Sequence, residues 1–303
     1  ADLLVAIGMR FDDRVTGNLE TYAQHARKIH IELDPAEINK VVMVDVGLCG
    51  DARGVLERLL PRLEPMERTG WNRSVRAAQA EDEALDCLQP SREPDALTAP
   101  RVLRDLWALT GGEALVVTDV GQHQMWEAQY YKHSTPRSLI TSGGLGTMGF
   151  ALPAALGARM ARPDQEVWVV CGDGGFQMTA CELSTLAAEG IKVHVAIINN
   201  GYLGMVRQWQ EFFFDRRYVS TPMPSPDFCL LAQAHGLPAR RVTRREEIAE
   251  AVAFARASPV TTVVEFRVLA EDNVFPMVAT GRALDDMMRR PSSDATPTPD
   301  EEA

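Results

Sequence analysis

The run Val167–Cys171 (VWVVC) is unbroken apolar sequence that stops abruptly at GDGGF, Gly172–Phe176. Too short for a buried helix and without polar alternation, it suits a central strand of a parallel sheet covered on both faces. Ligands in such sheets bind outside the carboxyl ends of the strands. The glycines therefore stand where a backbone can approach a ligand closely, and Asp173 puts a carboxylate at the strand tip. Thr179 and Glu182 have capping-box spacing and predict a helix running to about Glu189, with Gly190 as its C′ residue. The next predicted strand, Val193–Ile198, ends in Asn199 and Asn200. Strand, helix, strand is one βαβ unit, and its right-handed crossover brings both tips to one edge. Asp173 and Asn200, 27 residues apart in sequence, are thus predicted neighbours. A carboxylate and an amide oxygen are hard ligands of the kind Mg²⁺ takes, with phosphate oxygens and water completing its shell. The glycine loop and the helix N-terminus add N–H donors for an anion. Either Gly-Asp-Gly or Asn-Asn-Gly alone is an ordinary turn. Together at two strand tips they point to a diphosphate held through Mg²⁺.

The rest of the chain alternates in the same way. DLLVAIG, RKIHIELD and VVMVDVGLCGD predict three strands, and ARGVLERLLPRL predicts an amphipathic helix with Val55, Leu56, Leu59, Leu60 and Leu63 near one face. Residues 64–99 are polar and broken by prolines, and read as an interdomain connection. A helix over 100–109, the strand LVVTDVG, the Gly-rich turn and small-residue helix of GGLGTMGFALPAALGARM, and a late strand TTVVEFRV follow. The reading is 1–63 as part of a central domain, 64–99 as connection, 100–290 as a second α/β domain and 291–303 as a disordered tail. The chain opens on an apolar run and not on Met. It reads as a strand already inside a domain, so the chain is expected to be the C-terminal part of a longer protein.

Composition removes several classes. The net charge is −11 with no basic block, which disfavours nucleic-acid binding and a polybasic membrane patch. No apolar run approaches the ~20 residues of a transmembrane helix. The five cysteines form no CxxC pair; they read as small buried hydrophobes in a reducing, cytoplasmic setting.

GDG followed at this distance by NN resembles the thiamine diphosphate motif. GQHQMW from Gly121, SGGLGTMGFALPAALGA from Ser142, GDGGFQMTACELSTLAAEG and NNGYLGMVRQWQEFF resemble the large catalytic subunit of the acetohydroxyacid synthase (acetolactate synthase) family. GMRFDDRVTGN at the start resembles that family's FAD-binding central domain, and the likeness extends to about Arg290. It implies an α/β fold, a parallel sheet flanked by helices that binds thiamine diphosphate, preceded by part of a Rossmann-like α/β central domain. By matching motif, Asp173 and Asn200 bind Mg²⁺ by side chains and Tyr202 by its carbonyl. Gly174 and Gly175 face the diphosphate, and Gly121, Gln122, His123 and Gly146 lie near the cofactor. Met148 is the bulky residue beneath the thiazolium ring. Met205 and Trp209, four apart on one helix face, line the pocket for the second 2-ketoacid. Without the likeness, His123 reads as a loop residue and Met148, Met205 and Trp209 as packing. Gly8, Arg10, Asp12, Arg14, Glu32, Leu33 and Asp51 are assigned to an FAD with no redox role. From its place after a strand, Glu32 could accept from a ribose hydroxyl.

The implied reaction decarboxylates pyruvate and condenses the hydroxyethyl unit with pyruvate or 2-ketobutyrate, for valine, leucine and isoleucine biosynthesis. The implied assembly is a homodimer with a shared active site, open to a regulatory small subunit. In this family the glutamate that activates the cofactor lies in an N-terminal domain this chain lacks, so the chain alone is expected to catalyse little. Two alternatives stand beside this reading: another thiamine diphosphate carboligase or decarboxylase, and a non-catalytic cofactor-binding or dimerisation fragment. A plain NAD-binding protein is excluded because no GxGxxG opens a helix after the first strand.

Overall fold

A computed structural model describes residues 1–84 and 96–290, which form two compact units: residues 1–84 with 275–290, and residues 96–274. In the first unit, β1 (Leu3–Ile7), β2 (Arg27–Glu32) and β3 (Val46–Cys49) form a parallel sheet in that order. Helices α1 (Asp13–Thr16), α2 (Ala52–Leu59) and α3 (Thr69–Ala84) accompany it. Val55, Leu56 and Leu59 are half-buried as the periodicity requires, but Leu60 and Leu63 are exposed. The reason is Pro61: the chain tightens into a 3₁₀ turn over Leu60–Arg62, which rotates both leucines off the apolar face. Helix α3 occupies much of the stretch read as a connection, and residues 85–95 lie outside the described residues. Residues 275–290, read with the second domain, pack with the first unit. The Asn18 amide donates to the Arg282 carbonyl at 2.9 Å, and Met277 bridges Met288. The tail predicted over 291–303 also lies outside the described residues.

The second unit contains α4 (Ala99–Thr110), β4 (Leu115–Thr118), α5 (Gln122–Tyr130), β5 (Leu139–Thr141), α6 (Ala151–Ala161), β6 (Val167–Gly172), α7 (Asp173–Thr179), α8 (Glu182–Ala188), β7 (His194–Asn199), α9 (Gly204–Phe213), α10 (Phe228–Ala234), β8 (Ala239–Val242), α11 (Ile248–Ala257) and β9 (Thr262–Arg267). Six strands form one parallel sheet in the order β5-β4-β6-β7-β9-β8. The period of two along each strand sends Val116, Trp168, Val170, Ala196 and Val264 to one face, where α4, α5 and α11 cover them. Leu115, Val117, Val169, Val195 and Val263 go to the other face, under α6, α8 and α10. This is the predicted α/β architecture with helices on both faces.

Three local expectations change. Thr179 does not cap a helix: its hydroxyl donates to the Gly149 carbonyl at 3.0 Å, so α7 begins earlier, at Asp173, and the chain breaks before α8. Strand β8 (ARRV) was not foreseen because Arg240 and Arg241 hide its pattern; ion pairs to Glu250, Asp227 and Glu265 accommodate them. Among the four described cysteines only Cys171 is buried. Cys49, on an uncovered strand, and Cys181, in the break between α7 and α8, are exposed.

Candidate active site

The chain leaves β4 to lay β5 on one side of it and returns to lay β6 on the other. Such a reversal opens a crevice at the carboxyl edge of the sheet, where the two connections diverge. A narrow cleft lies there, lined by the tips of three strands. The β4 tip supplies Gly121, Gln122 and His123, the β6 tip Asp173, Gly174 and Gly175, and the β7 tip Asn200 and Tyr202; Met148 adds a wall. Asp173 and Asn200 are neighbours here, as the βαβ argument requires.

Asp173 is the first residue of α7 and is 1 % exposed. Burial pushes its carboxyl up to about 6; a hydrogen bond from Ser225 (3.0 Å) and backbone N–H groups pull the other way without cancelling the shift. Among the described residues no Lys or Arg lines the cleft, so none of them sets a cation beside the carboxylate. The nearby Cys171 thiol is pushed well up, by burial first and then by Asp119 and Asp173. A buried carboxylate without a counter-charge is the electrostatic profile of a cation site.

Asn200 and Tyr202 owe their geometry to a short ribbon. Leu203 N–H donates to Thr221 C=O and Met223 N–H to Gly201 C=O, both at 2.8 Å. Alternation along a paired ribbon turns the N–H and C=O of Tyr202 to the other side; its N–H reaches Asn200 Oδ1 at 3.1 Å. Gly201 makes the bend with φ +73°, a conformation that favours glycine. The Asn200 amide nitrogen donates to Gln122 Oε1 at 3.2 Å, so the amide oxygen is fixed and keeps a lone pair for a cation. Gln122 in turn donates to Gln208 Oε1 (2.8 Å) and the Asp272 carbonyl (3.1 Å).

His123 is buried and neutral. Burial holds its ring down to about 4, against the opposing pull of the Asp119 charge and a hydrogen bond with the Asp119 backbone. Its Nε2 is buried with no partner among the described residues, a polar atom that a ligand would satisfy. Asp119, also buried, accepts from Val120 N–H (2.9 Å), Gly149 N–H (3.0 Å) and Ala151 N–H (3.0 Å). It thereby fixes the turn that carries Met148 and caps α6 from outside the helix. A Cβ on Gly175 would stand 2.2 Å from Asp119 Oδ1, so glycine is required there for close approach. Asp119 was open to the same strand-tip reasoning as Asp173. Ser225 carried no signal, because only the ribbon brings its loop to the cleft.

Three site residues predicted for the second unit do not line the cleft. Gly146 sits in an exposed turn at φ +63°. Met205 is half-buried against the sheet core, and Trp209 is half-buried against Phe213, ring centroids 4.9 Å apart. Both lie on α9 beyond Gly204, which does line the cleft. In the first unit, Gly8, Glu32, Leu33 and Asp51 gather at the carboxyl edge of the three-stranded sheet. Glu32 Oε1 accepts from Leu33 N–H at 2.8 Å, Asp51 caps α2, and Asp12 caps α1 while pairing with Arg10 and accepting from Arg14 N–H.

The donor set fits the diphosphate of a Mg²⁺-bound cofactor: an uncompensated carboxylate, an oriented amide oxygen, glycine N–H groups and an orphaned imidazole nitrogen. Comparison with known proteins agrees. Residues 119–266 match the family model described as "Thiamine pyrophosphate enzyme, C-terminal TPP binding domain", and residues 1–59 match "Thiamine pyrophosphate enzyme, central domain". The "Acetolactate synthase large subunit" of Corynebacterium glutamicum is 44% identical over 300 residues, covering 95% of this chain and 47% of that protein. "Acetolactate synthase" of Mycobacterium bovis is 43% identical over 299 residues, covering 95% and 48%. The "Acetolactate synthase isozyme 2 large subunit" of Escherichia coli K12 is 41% identical over 291 residues, covering 95% and 52%. The chain spans about half the length of the curated relatives it matches. The resemblance read in the sequence therefore holds.

Proposed function

Given that the chain belongs to the thiamine pyrophosphate enzymes, we propose that it carries the diphosphate-binding half of an acetolactate synthase catalytic subunit. The observation that carries this reading is the gathering of Asp173, Asn200 and Tyr202 in a cleft that, among the described residues, has no basic side chain. Asp173 Oδ, Asn200 Oδ1 and the Tyr202 carbonyl would hold Mg²⁺, whose charge would supply the partner for a diphosphate. Backbone N–H groups of Gly174 and Gly175, at the start of α7, face the phosphate oxygens. Gln122 orients the Asn200 amide, and the neutral His123 presents Nε2 to the ligand. Met148 supports the cofactor ring from the turn that Asp119 fixes. When bound, thiamine diphosphate supplies an electron sink for decarboxylating a 2-ketoacid and passing on the remaining two-carbon unit. Met205 and Trp209 on α9 select the acceptor, pyruvate or 2-ketobutyrate. FAD, without redox work, is the ligand of Gly8, Arg10, Asp12, Arg14, Glu32, Leu33 and Asp51.

Among the described residues no glutamate lines the cleft, and the chain covers about half of its relatives. The activating group is accordingly supplied from elsewhere in the whole enzyme, across a homodimer with a shared active site in the cytoplasm, with a regulatory small subunit as a further partner. Turnover by this chain alone is expected to be negligible; robust acetolactate formation by the purified chain would overturn that. The central assignment is tested by Asp173→Ala in the whole enzyme. Mg²⁺-dependent thiamine diphosphate binding should be lost while the thermal unfolding transition persists, and retained affinity would sink the assignment. Product analysis on mixed 2-ketoacids decides between this reaction and other carboligations.

A further inference from the structure

We propose that Glu265 is a positioning residue for the cation-binding turn, acting through Asn199 on Gly201, Asn200 and Tyr202. This rests on the reading of Asn200 and Tyr202 as Mg²⁺ ligands and names what holds them. In the ladder between β7 and β9, Ile197 faces Glu265 and Asn199 faces Arg267. Glu265 and Asn199 are therefore diagonal neighbours on one face of the sheet. Glu265 is fully buried, and each carboxylate oxygen is engaged. Oε1 accepts from Asn199 Nδ2 (2.7 Å) and lies 2.7 Å from Arg267 Nε; Oε2 accepts from Arg241 Nε (2.7 Å). With its nitrogen taken by Glu265, the Asn199 amide can only turn its oxygen outward, where it accepts from Gly201 N–H at 3.1 Å. That contact holds Gly201 in its left-handed bend, and the bend sets where the Asn200 side chain and the Tyr202 backbone point. A flipped Asn199 amide would aim NH₂ at the Gly201 N–H and release the turn.

The Asp227, Cys229 and Glu265 ligand atoms lie within 4.8 Å of one another, which could be taken for a metal set. Arg241 joins Asp227 (2.9 Å) to Glu265 (2.7 Å), so the carboxylates are already neutralised. The two arginines make the carboxylate tolerable in the interior; they do not explain why it faces Asn199. A carboxylate that orients a ligand-bearing turn from behind is the outer-shell arrangement whose loss costs about 10–100-fold in metal affinity.

The test is a double-mutant cycle in the whole enzyme, reading the Mg²⁺ concentration that half-saturates thiamine diphosphate binding, with metal-free thermal unfolding recorded alongside. Asn199→Ala leaves Glu265 with both arginines, so it keeps the fold even if Glu265→Gln does not. Each single variant is expected to need about 10–100-fold more Mg²⁺, and the double variant no more than the worse single, because one relay is being broken twice. A purely structural role for Glu265 would lower the unfolding temperature and leave the Mg²⁺ requirement of Asn199→Ala unchanged; that result overturns the proposal. Asp173→Ala separates the two claims. If it abolishes Mg²⁺-dependent binding while Asn199→Ala does not weaken it, only the relay fails. If it too binds normally, the cation site and the relay fall together.

Discussion

At the scale of single residues, the site works against the stability of the chain that carries it. Asp173 has an ordinary pKa near 3.8 and is pushed to about 6 by burial. Between those values the folded chain holds a proton that the unfolded chain has lost. Stability is therefore highest at the acid end of this window and falls as pH rises through about 6, a loss of about 3 kcal/mol once complete. Asp173→Asn removes that cost without changing shape. The metal-free variant should melt several degrees higher than the wild type at pH 7.5 and no higher at pH 4. Adding Mg²⁺ and thiamine diphosphate should raise the melting temperature of the wild type alone. An equal or lower metal-free melting temperature at pH 7.5 would mean that burial does not strain the carboxylate. Gly175 is constrained by space instead. In Gly175→Ala the new Cβ would meet Asp119 Oδ1 at 2.2 Å and Cγ at 2.8 Å, so the buried hub must shift. A loss of about 1–3 kcal/mol in chemical denaturation is expected, in the usual range for overpacking.

At the scale of elements, Asp119 joins the β4 tip to the turn before α6 and stands against Gly175 in the first turn of α7. Its two oxygens accept three N–H groups. An amide can satisfy only those on its oxygen side, so Asp119→Asn should cost about 1–3 kcal/mol by leaving a buried donor facing NH₂. It should also loosen the turn carrying Met148, read as faster amide exchange at Gly149 and Ala151. Unchanged exchange there would show that the turn holds itself. These elements also show what was legible. The β6 and β7 runs declared themselves because strands covered on both faces are mostly apolar along their length. The β4 tip was as readable as theirs, and its Gly121, Gln122 and His123 drew a ligand reading by resemblance, but Asp119 drew none, because a lone Asp after a strand is common. Strand β8 was hidden by its two arginines, whose charges are cancelled only by Asp227, Glu250 and Glu265 from other elements. Helix α9 was read by its Met205–Trp209 face. The structure also buries Arg207 and Gln208 on this helix, and they hold Asp272–Val274 through side-chain bonds to backbone.

At the scale of the whole molecule, acid sensitivity follows from two neutral imidazoles in the second unit. His123 and His194 have an ordinary pKa of 6.5 and are each held down to about 4, by burial first. Their contribution is present above 6.5 and is lost as pH falls toward 4, opposite in sign to that of Asp173 in the same window. The melting temperature of the metal-free chain should therefore fall between pH 7 and pH 4. His194→Gln, at the edge of the sheet away from the cleft, should flatten the slope without touching Mg²⁺ affinity; an unaltered slope would exclude His194 as a source. The sequence by itself determined the parallel α/β architecture, the pairing of Asp173 with Asn200 and the family, because hydrophobic period and chirality act locally and motif spacing is preserved along the chain. Only the tertiary structure decided which groups hold that pair in place. Ser225, Asp119, Gln122 and the Glu265–Asn199 link converge on it from distant parts of the chain. Nothing local in the sequence encodes such contacts, since they exist only once the sheet has set its register.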